Sequence, residues 1–265
     1  MGLPCFDSDP ALVGMVHLPP LPGAPEFDGD RMAVREAAQA DAETLLSAGF
    51  DGVLVENYGD APYFPEDVPK YTVAELAAVV ESLEVDAPVG VNVLRNDADA
   101  ALSVAAAAGG AFVRVNVHTG VRATDQGWVE GQAHETMRLR EQIDADVAVL
   151  ADVAVKHSAG PTDRSIEALA AETLDRGLAD GLIVSGPETG AATERNDLRR
   201  VLDVRDDISP DAPVFVGSGV TPDNAADLLE LADGVIVGTA VKEGGETTNR
   251  VDRERAEQLV AAVQE

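Results

Sequence analysis

Short apolar runs alternate with longer alanine-rich stretches along the whole chain. The apolar runs are rich in valine, which favours buried β-strands, and they lie at Ala11–Val16, Gly52–Val55, Val89–Leu94, Phe112–Val117, Val147–Asp152, Leu182–Val184, Val214–Val216 and Val235–Val237. A predicted helix follows each run: Asp30–Ala48, Thr72–Leu83, Asp97–Ala108, Gln132–Gln142, Asp163–Arg176, Glu194–Val204, a short segment after Asn224, and Asp252–Val263. Repeated strand–helix units predict a parallel sheet covered by helices.

Eight such units favour a closed barrel over an open sheet. The chain has 265 residues, close to the roughly 250 that are typical of one barrel, and no linker-like segment divides it. We therefore predict an α/β protein with a single domain over residues 1–265, a (β/α)₈ TIM barrel. A doubly wound open sheet is the alternative, but no dinucleotide-binding glycine pattern follows the first strand.

Polar side chains gather where the predicted strands end. In barrel enzymes the C-terminal strand ends and the loops after them form the functional site. The chain places at these positions His17, Glu56, Asn57, Asn92, Arg95, Asn116, His118, Asp152, Lys156, His157, Ser185 and Gly186. The helix-to-strand loops carry ordinary surface residues instead, such as Glu84 and Asp144. One face of the molecule is therefore predicted to hold the chemistry, as an enzyme or a ligand-binding barrel requires.

Two glycine-bearing turns follow the seventh and eighth strands. They read Gly217-Ser218-Gly219 and Gly238-Thr239, and barrels commonly bind phosphate with the backbone N–H groups of these two loops. Thr221 and Pro222 predict a helix start directly after the first turn, and Gly186 extends the site from the sixth strand. The alternative is that these glycines serve only to make tight turns.

The fourth strand carries an unusual arginine. In Phe112–Val117 the valines alternate with Arg114 and Asn116, and His118 continues the polar series. Valines suit the surface under the helices, so the polar side chains are predicted to point into the barrel. A buried arginine needs an acidic partner or an anionic ligand. Both readings stay open: an ion-pair network with Glu56 or Asp152, or contact with a ligand.

Roles can be assigned to the polar set by residue type. Glu56 and Asp152 are predicted catalytic carboxylates, and Lys156 with His157 the acid or electrophile, because the pKa values of lysine and histidine move readily with their surroundings. The alternative for Lys156 and His157 is a structural loop role. The side chains predicted to bind the substrate are His17, Asn57, Asn92, Arg114, Asn116 and Ser185. Glu56 and Asp152 could also hold a divalent metal, but no ligand spacing is recognisable, so no cofactor is predicted.

A long loop, Val121–Gly131, separates the fourth strand from its helix. It contains glycine and Trp128, which is the only tryptophan of the chain. We expect the loop either to fold over the site as a lid or to place Trp128 in a contact between subunits.

The charge composition of the chain restricts the kinds of partner that it can bind. Asp and Glu number 48 against 19 Lys and Arg, for a formal charge of -29, and the only lysines are Lys70, Lys156 and Lys242. This balance is typical of proteins adapted to high salt, with an ordinary acidic protein as the alternative. It argues against binding to nucleic acid or anionic membranes.

Cysteine use and hydropathy bear on location. Cys5 has no second cysteine to pair with, and the sequence shows neither a signal-peptide pattern nor an apolar run long enough to span a membrane. We expect a cytoplasmic protein. Barrels often associate through outer helices or rim loops, so we also expect a homo-oligomer.

Several stretches together resemble the BtpA/SgcQ family. They are Gly14–Gly23, Val55–Asn57, Gly90–Asp97, Val113–Val117, Asp152 with Lys156 and His157, and Val216–Val220. The resemblance spans nearly the whole chain and implies a (β/α)₈ barrel related to phosphate-binding barrels. Members of the family are linked to photosystem I accumulation or taken for enzymes of sugar or nucleoside phosphate metabolism.

Two functions are compatible with these observations. The first is an enzyme that acts on a small phosphorylated sugar or nucleoside-derived metabolite by acid–base chemistry, as an isomerase, lyase or hydrolase. The alternative is a non-catalytic assembly or stability factor that keeps a vestigial phosphate pocket.

Overall fold

Eight parallel strands close into a barrel. The computed structural model describes residues 5, 6, 8, 10–153, 164–186 and 195–264. Within them the strands are β1 (Ala11–His17), β2 (Gly52–Glu56), β3 (Val89–Asn92), β4 (Phe112–Val115), β5 (Val121–Thr124), β6 (Gly127–Glu130), β7 (Ala148–Asp152), β8 (Gly181–Val184), β9 (Val214–Val216) and β10 (Gly234–Val237). The barrel order is β1-β10-β9-β8-β7-β4-β3-β2. The predicted (β/α)₈ barrel is confirmed.

Helices cover the outside of the barrel. They are α1 (Arg31–Ala48), α2 (Lys70–Glu81), α3 (Ala98–Ala108), α4 (Ala133–Gln142), α5 (Ile166–Ala171), α6 (Arg195–Ile208), α7 (Ala225–Leu229) and α8 (Arg253–Gln264). A π-helical turn, Glu172–Arg176, continues α5. Local sequence sets several ends: the Asp30 carboxylate accepts from the N–H of Met32 and Ala33 at the start of α1, and Gly49 ends α1 with a φ of 110°.

Alternation along the strands divides the apolar core in two. Valines such as Val53 and Val113 pack under the helices, whereas a second cluster fills the barrel interior with Ala11, Val13, Met15, Leu54, Phe112, Leu150, Ile183, Phe215 and Ile236. The ring of Phe6 joins it, with its centroid 5.7 Å from that of Phe112. Gly90 makes room for Phe112, because a Cβ at position 90 would lie 2.3 Å from the Phe112 ring. The interior below the site is therefore solid.

Two local predictions were wrong. The segment predicted as a loop, Val121–Gly131, contains an antiparallel hairpin of β5 and β6, in which Thr124 pairs with Gly127. The helix predicted to start after Thr221 begins later, at Ala225. It does so because the Asn224 side chain accepts from Thr221 N at 2.8 Å and donates to Gly219 O at 2.9 Å, which holds a turn ahead of the helix.

Candidate functional site

A cavity of about 410 Å³ opens at the C-terminal ends of the barrel strands. Of the residues predicted from the sequence, the structure places on its wall His17, Glu56, Arg114, Asn116, Gly217, Ser218, Gly219, Gly238 and Thr239. These residues come from five strands or the loops that follow them. The fold therefore brings most of the predicted polar set to one mouth, where a single ligand can touch all of them.

His17 and Glu56 form a pair at the edge of this cavity. They are register partners on the adjacent strands β1 and β2, so both side chains point to the same side. His17 Nε2 lies 3.7 Å from Glu56 Oε1, and both side chains are largely buried. The ring of Tyr58 lies 4.9 Å from that of His17. A carboxylate beside an imidazole is suited to moving a proton to or from a bound ligand.

Asp152 holds Arg114 in place on the cavity wall. Arg114 donates from Nε to Asp152 Oδ2 at 2.9 Å and from Nη2 to Oδ1 at 3.0 Å. Ser185 Oγ donates to the same carboxylate at 3.1 Å, and Asn116 Nδ2 lies 3.4 Å from it. Burial alone would lower the pKa of Arg114, but the charge and hydrogen bonds of Asp152 outweigh burial and raise it. The guanidinium therefore stays charged, and its position is fixed.

Asn92 lies behind the wall and orients Asn116. Its Nδ2 donates to Arg114 O and to Asn116 Oδ1, each at 2.9 Å. Asn92 Oδ1 is buried and accepts no hydrogen bond from the described residues. Asn92 was predicted to bind the substrate, yet it does not line the cavity. Its observed contacts position the neighbouring strand β4.

Asn57 braces two loops rather than facing the cavity. Its Oδ1 accepts from Leu94 N at 2.7 Å, and its Nδ2 donates to Asp60 Oδ2 at 3.1 Å. Asp60 in turn accepts from Leu21 N at 2.8 Å. Both functional groups of the amide are therefore used inside the protein, and Asn57 is not among the residues on the cavity wall.

The two glycine turns reach the cavity, but not every predicted N–H is available there. Gly217 N donates to Val184 O at 2.9 Å as part of the sheet, and Gly186 N donates to Ser218 Oγ at 2.9 Å. The N–H groups of Gly219 and Thr239 donate to no acceptor among the described residues. Gly219 has a φ of +70°, a conformation that favours glycine. These two N–H groups are therefore available to bind an anion.

A helix N-terminus does not complete this anion site. The helix after the first turn, α7, spans only Ala225–Leu229, and the turn described above separates it from Gly219. The start of α7 therefore does not follow the glycine turn directly, contrary to the expectation from Thr221 and Pro222.

Tyr63 and Arg95 add an aromatic and a cationic group to the wall. Arg95 follows β3, and its guanidinium carbon lies 4.8 Å from the centroid of the Tyr63 ring. Burial raises the pKa of the Tyr63 hydroxyl, and the charge of Glu56 raises it further. Arg95 belongs to the polar set predicted at the strand ends, although no role was assigned to it from the sequence. Tyr63 was not predicted, because nothing in the local sequence marks it.

The remaining predicted residues lie elsewhere or outside the described part of the chain. Lys156 and His157 fall in 154–163, which the structure does not describe. His118, expected inside the barrel, points the other way: its Nε2 lies 2.8 Å from Gly177 O, and the side chain is buried. It lies beyond the end of β4, so the strand alternation no longer applies to it.

Two features are absent from the part of the chain that the structure describes. Among these residues, no group of three or more His, Cys, Asp or Glu side chains lies close enough together to hold a metal ion. No helix among these residues is both long and apolar enough to cross a membrane.

Comparison with known proteins places the chain among relatives of similar length. The family model described as "BtpA family" matches residues 8–265. An uncharacterised protein of Thermococcus kodakarensis is 48% identical over 262 residues, which is 98% of this chain and 97% of that protein. The photosystem I biogenesis protein BtpA of Synechocystis is 41% identical over 262 residues, covering 98% of this chain and 90% of the relative.

Solved structures with the same fold are more distant in sequence. Phosphoribosyl anthranilate isomerase from Thermus thermophilus superimposes with a TM-score of 0.58 at 12% identity, covering 96% of this chain and 98% of the other. At this identity the likeness shows the fold alone.

Proposed function

The chain belongs to the BtpA family, and from the cavity at its barrel mouth we propose that it is an enzyme acting on a small phosphorylated sugar or nucleoside-derived metabolite. One observation carries the proposal. The N–H groups of Gly219 and Thr239, the Arg114 guanidinium and the His17–Glu56 pair share the wall of a single cavity. Anion-binding groups beside a proton-transfer pair are what acid–base chemistry on a phosphorylated ligand requires.

Each group has a distinct part in the proposed reaction. The phosphate accepts hydrogen bonds from Gly219 and Thr239. Glu56 and His17 carry a proton to or from the carbon or oxygen that reacts, as in an isomerase, lyase or hydrolase. Arg114, held by Asp152 at 2.9 and 3.0 Å, offers a fixed positive charge to an oxygen that becomes negative, with no reorganisation during the reaction. Asp152 thus acts as a positioning residue in this scheme, and Lys156 and His157 remain candidates for acid or electrophile.

The fold is compatible with such a ligand but does not identify it. The isomerase from Thermus thermophilus, whose name specifies a phosphoribosyl compound, has the same barrel. A barrel of this kind can therefore present groups to a phosphorylated molecule at its mouth. The choice among isomerase, lyase and hydrolase depends on the substrate, which assays with candidate phosphorylated sugars would identify.

A second function is favoured by one relative. The Synechocystis protein at 41% identity is a photosystem I biogenesis protein, so a non-catalytic assembly or stability factor with a vestigial pocket is the alternative. The two functions differ in what the cavity binds. An enzyme should be stabilised by phosphorylated compounds, whereas a factor with a vestigial pocket should not.

The test uses Thr221, which lines the cavity two residues after Gly219. In Thr221→Asp we expect glycerol 3-phosphate and inorganic phosphate to bind at least about tenfold more weakly, because like charges a few ångströms apart in a partly buried site repel by more than about 1.4 kcal/mol. Thr221→Asn introduces a side chain of the same shape as aspartate but without its charge. This variant should bind both compounds nearly as tightly as the natural protein does. Calorimetry and thermal shift measure both.

Two results would count against the proposal. If no phosphorylated compound stabilises the natural protein, the enzyme hypothesis loses its main support and the assembly factor gains. If Thr221→Asp and Thr221→Asn bind equally well, the phosphate does not lie at the glycine turns.

The rest of the proposal concerns the setting of the protein. We place it in the cytoplasm as a homo-oligomer adapted to high salt, with a small phosphorylated ligand and neither nucleic acid nor a membrane as partner. The formal charge of -29 and the scarcity of lysine support the salt adaptation and argue against nucleic acid and anionic membranes. The location rests on the lack of a signal-peptide pattern in the sequence, and the homo-oligomer on the common association of barrels through outer helices or rim loops.

A further inference from the structure

Arg95 lies across the barrel mouth from the first glycine turn. Arg95 follows β3, and Gly219 follows β9; in the closed order of strands these two are four apart in either direction. In a ring of eight strands that separation is diametrical. Both residues nevertheless line the same cavity. A ligand held at Gly219 by one end therefore extends toward Arg95 with the other.

The guanidinium of Arg95 is held by the hairpin of β5 and β6. Its Nε donates to Gln126 Oε1 at 2.9 Å, and the ring of Tyr63 supports its flat face at 4.8 Å. Its Nη2 lies 3.5 Å from Asp125 Oδ1. The Arg95 side chain is 17% exposed, and that of Asp125 is 64% exposed. The Nε is thus committed to Gln126, while the Nη edge meets, among the described residues, only the exposed carboxylate of Asp125.

We propose that Arg95 is a second anion subsite of this cavity and binds a carboxylate at the end of the ligand opposite its phosphate. This inference rests on the proposed function for the phosphate end. A planar guanidinium matches the geometry of a carboxylate, and the carboxylate of Asp125 already lies beside it. The ligand's carboxylate takes the place of Asp125, which is easily displaced because exposed ion pairs are worth only about 0–1 kcal/mol. The substrate class narrows to phosphorylated sugar acids and similar molecules.

The decisive experiment compares two probes that differ in one group. 6-Phosphogluconate and sorbitol 6-phosphate share a six-carbon chain and a phosphate, but only the first has a carboxylate. The natural protein should bind 6-phosphogluconate about tenfold more tightly, as a charge-assisted hydrogen-bonded pair predicts. The protein is strongly acidic, with a formal charge of -29, so non-specific repulsion would favour the opposite order.

Two variants assign that preference to Arg95. Arg95→Gln should remove the preference by weakening 6-phosphogluconate alone, with sorbitol 6-phosphate unchanged as the control for correct folding. Asp125→Asn removes the competing charge at constant size and should increase the preference severalfold. Trp128, the only tryptophan, lies on β6 next to the hairpin tip, so its emission should respond to 6-phosphogluconate more than to sorbitol 6-phosphate.

The failures can be told apart. Equal affinity for the two probes, or an equal loss of both in Arg95→Gln, would overturn the carboxylate subsite while the phosphate site stands. Binding of inorganic phosphate but of neither probe would also overturn it. If inorganic phosphate does not bind either, the proposed function fails first and this inference falls with it.

Discussion

At the scale of single residues, Arg114 decides how the site is built. The sequence left two readings open for this buried arginine: an ion-pair network or contact with a ligand. The structure pairs it with Asp152 through two hydrogen bonds of 2.9 and 3.0 Å, and it also places Arg114 on the cavity wall. The ion pair and a ligand contact are therefore compatible, because the Asp152 carboxylate occupies one edge of the guanidinium while the Arg114 side chain still lines the cavity.

Arg114 and Asp152 should be strongly coupled in their contributions to the free energy of unfolding. Arg114→Met and Asp152→Asn each leave one buried charge without its partner, and each should lower the free energy of unfolding by about 3–5 kcal/mol. The double variant buries neither charge. Its loss of unfolding free energy should therefore be smaller than the sum of the two single-variant losses by about 2 kcal/mol or more. Urea unfolding at fixed salt measures this cycle.

A surface pair serves as the matched control for that cycle. Arg253 and Glu257 lie 3.4 Å apart with side chains 60% and 54% exposed, so their coupling should stay below about 1 kcal/mol. Additive losses for Arg114 and Asp152 would show that the buried pair is not coupled, despite its geometry.

At the scale of elements, His118 joins the end of β4 to the π-helical turn Glu172–Arg176. Its Nε2 lies 2.8 Å from Gly177 O, while its Nδ1 is buried without a partner among the described residues. This is the environment of a neutral ring that donates from Nε2. Burial lowers the pKa of His118, although the contact with Gly177 and the charge of Asp180 oppose the shift. Protonation at Nδ1 would bury a donor with no acceptor.

The lowered pKa of His118 predicts a loss of stability in mild acid. The unfolded chain takes up the proton near pH 6.5, whereas the folded one does so only at lower pH. The contribution of neutral His118 to the free energy of unfolding is thus fully present above about pH 6.5. Below that pH the free energy of unfolding falls by at most about 1.4 kcal/mol per pH unit, until the pH reaches the pKa of His118 in the folded protein. His118→Gln keeps a donor for Gly177 and should lose less between pH 7.5 and 5.5 in urea unfolding. Equal losses in both proteins would contradict the assignment.

At the scale of the whole molecule, a strongly acidic chain has cationic side chains at its barrel mouth. The formal charge is -29, yet Arg95 and Arg114 both line the cavity. Repulsion among surface carboxylates destabilises the compact state, and salt screens it over about 10 Å at 0.1 M and about 3 Å at 1 M.

Stability should therefore rise with salt. Between 0.1 and 2 M KCl we expect the midpoint of thermal unfolding to increase by several degrees, with most of the gain reached by about 1 M, where screening is nearly complete. NaCl should raise the midpoint as KCl does. Sucrose at matched osmolality is the control, because it is excluded from the protein surface but does not screen charge. An unchanged or falling midpoint would contradict the proposed salt adaptation. Light scattering in the same series tests whether the protein is a homo-oligomer.

Local pattern was enough to predict the barrel and the face on which its cavity opens. Strand alternation placed Arg114 and Asn116 inward, and position after a strand brought His17 and Glu56 to the mouth, since both signals depend only on neighbouring residues. The hairpin was missed because polar residues such as Arg122 and Thr124 resemble a loop, and its pairing lies off the barrel.

Only the tertiary structure decided which polar groups are used within the protein and which face the cavity. Asp152 meets Arg114 across 38 positions of sequence, and Asn57 meets Leu94 across 37. Gly217 N likewise donates to Val184 O, so this N–H is used within the sheet although Gly217 lines the cavity. A hydrogen bond depends on distance in space, and neighbours in space that are far apart in sequence are fixed only when the barrel closes.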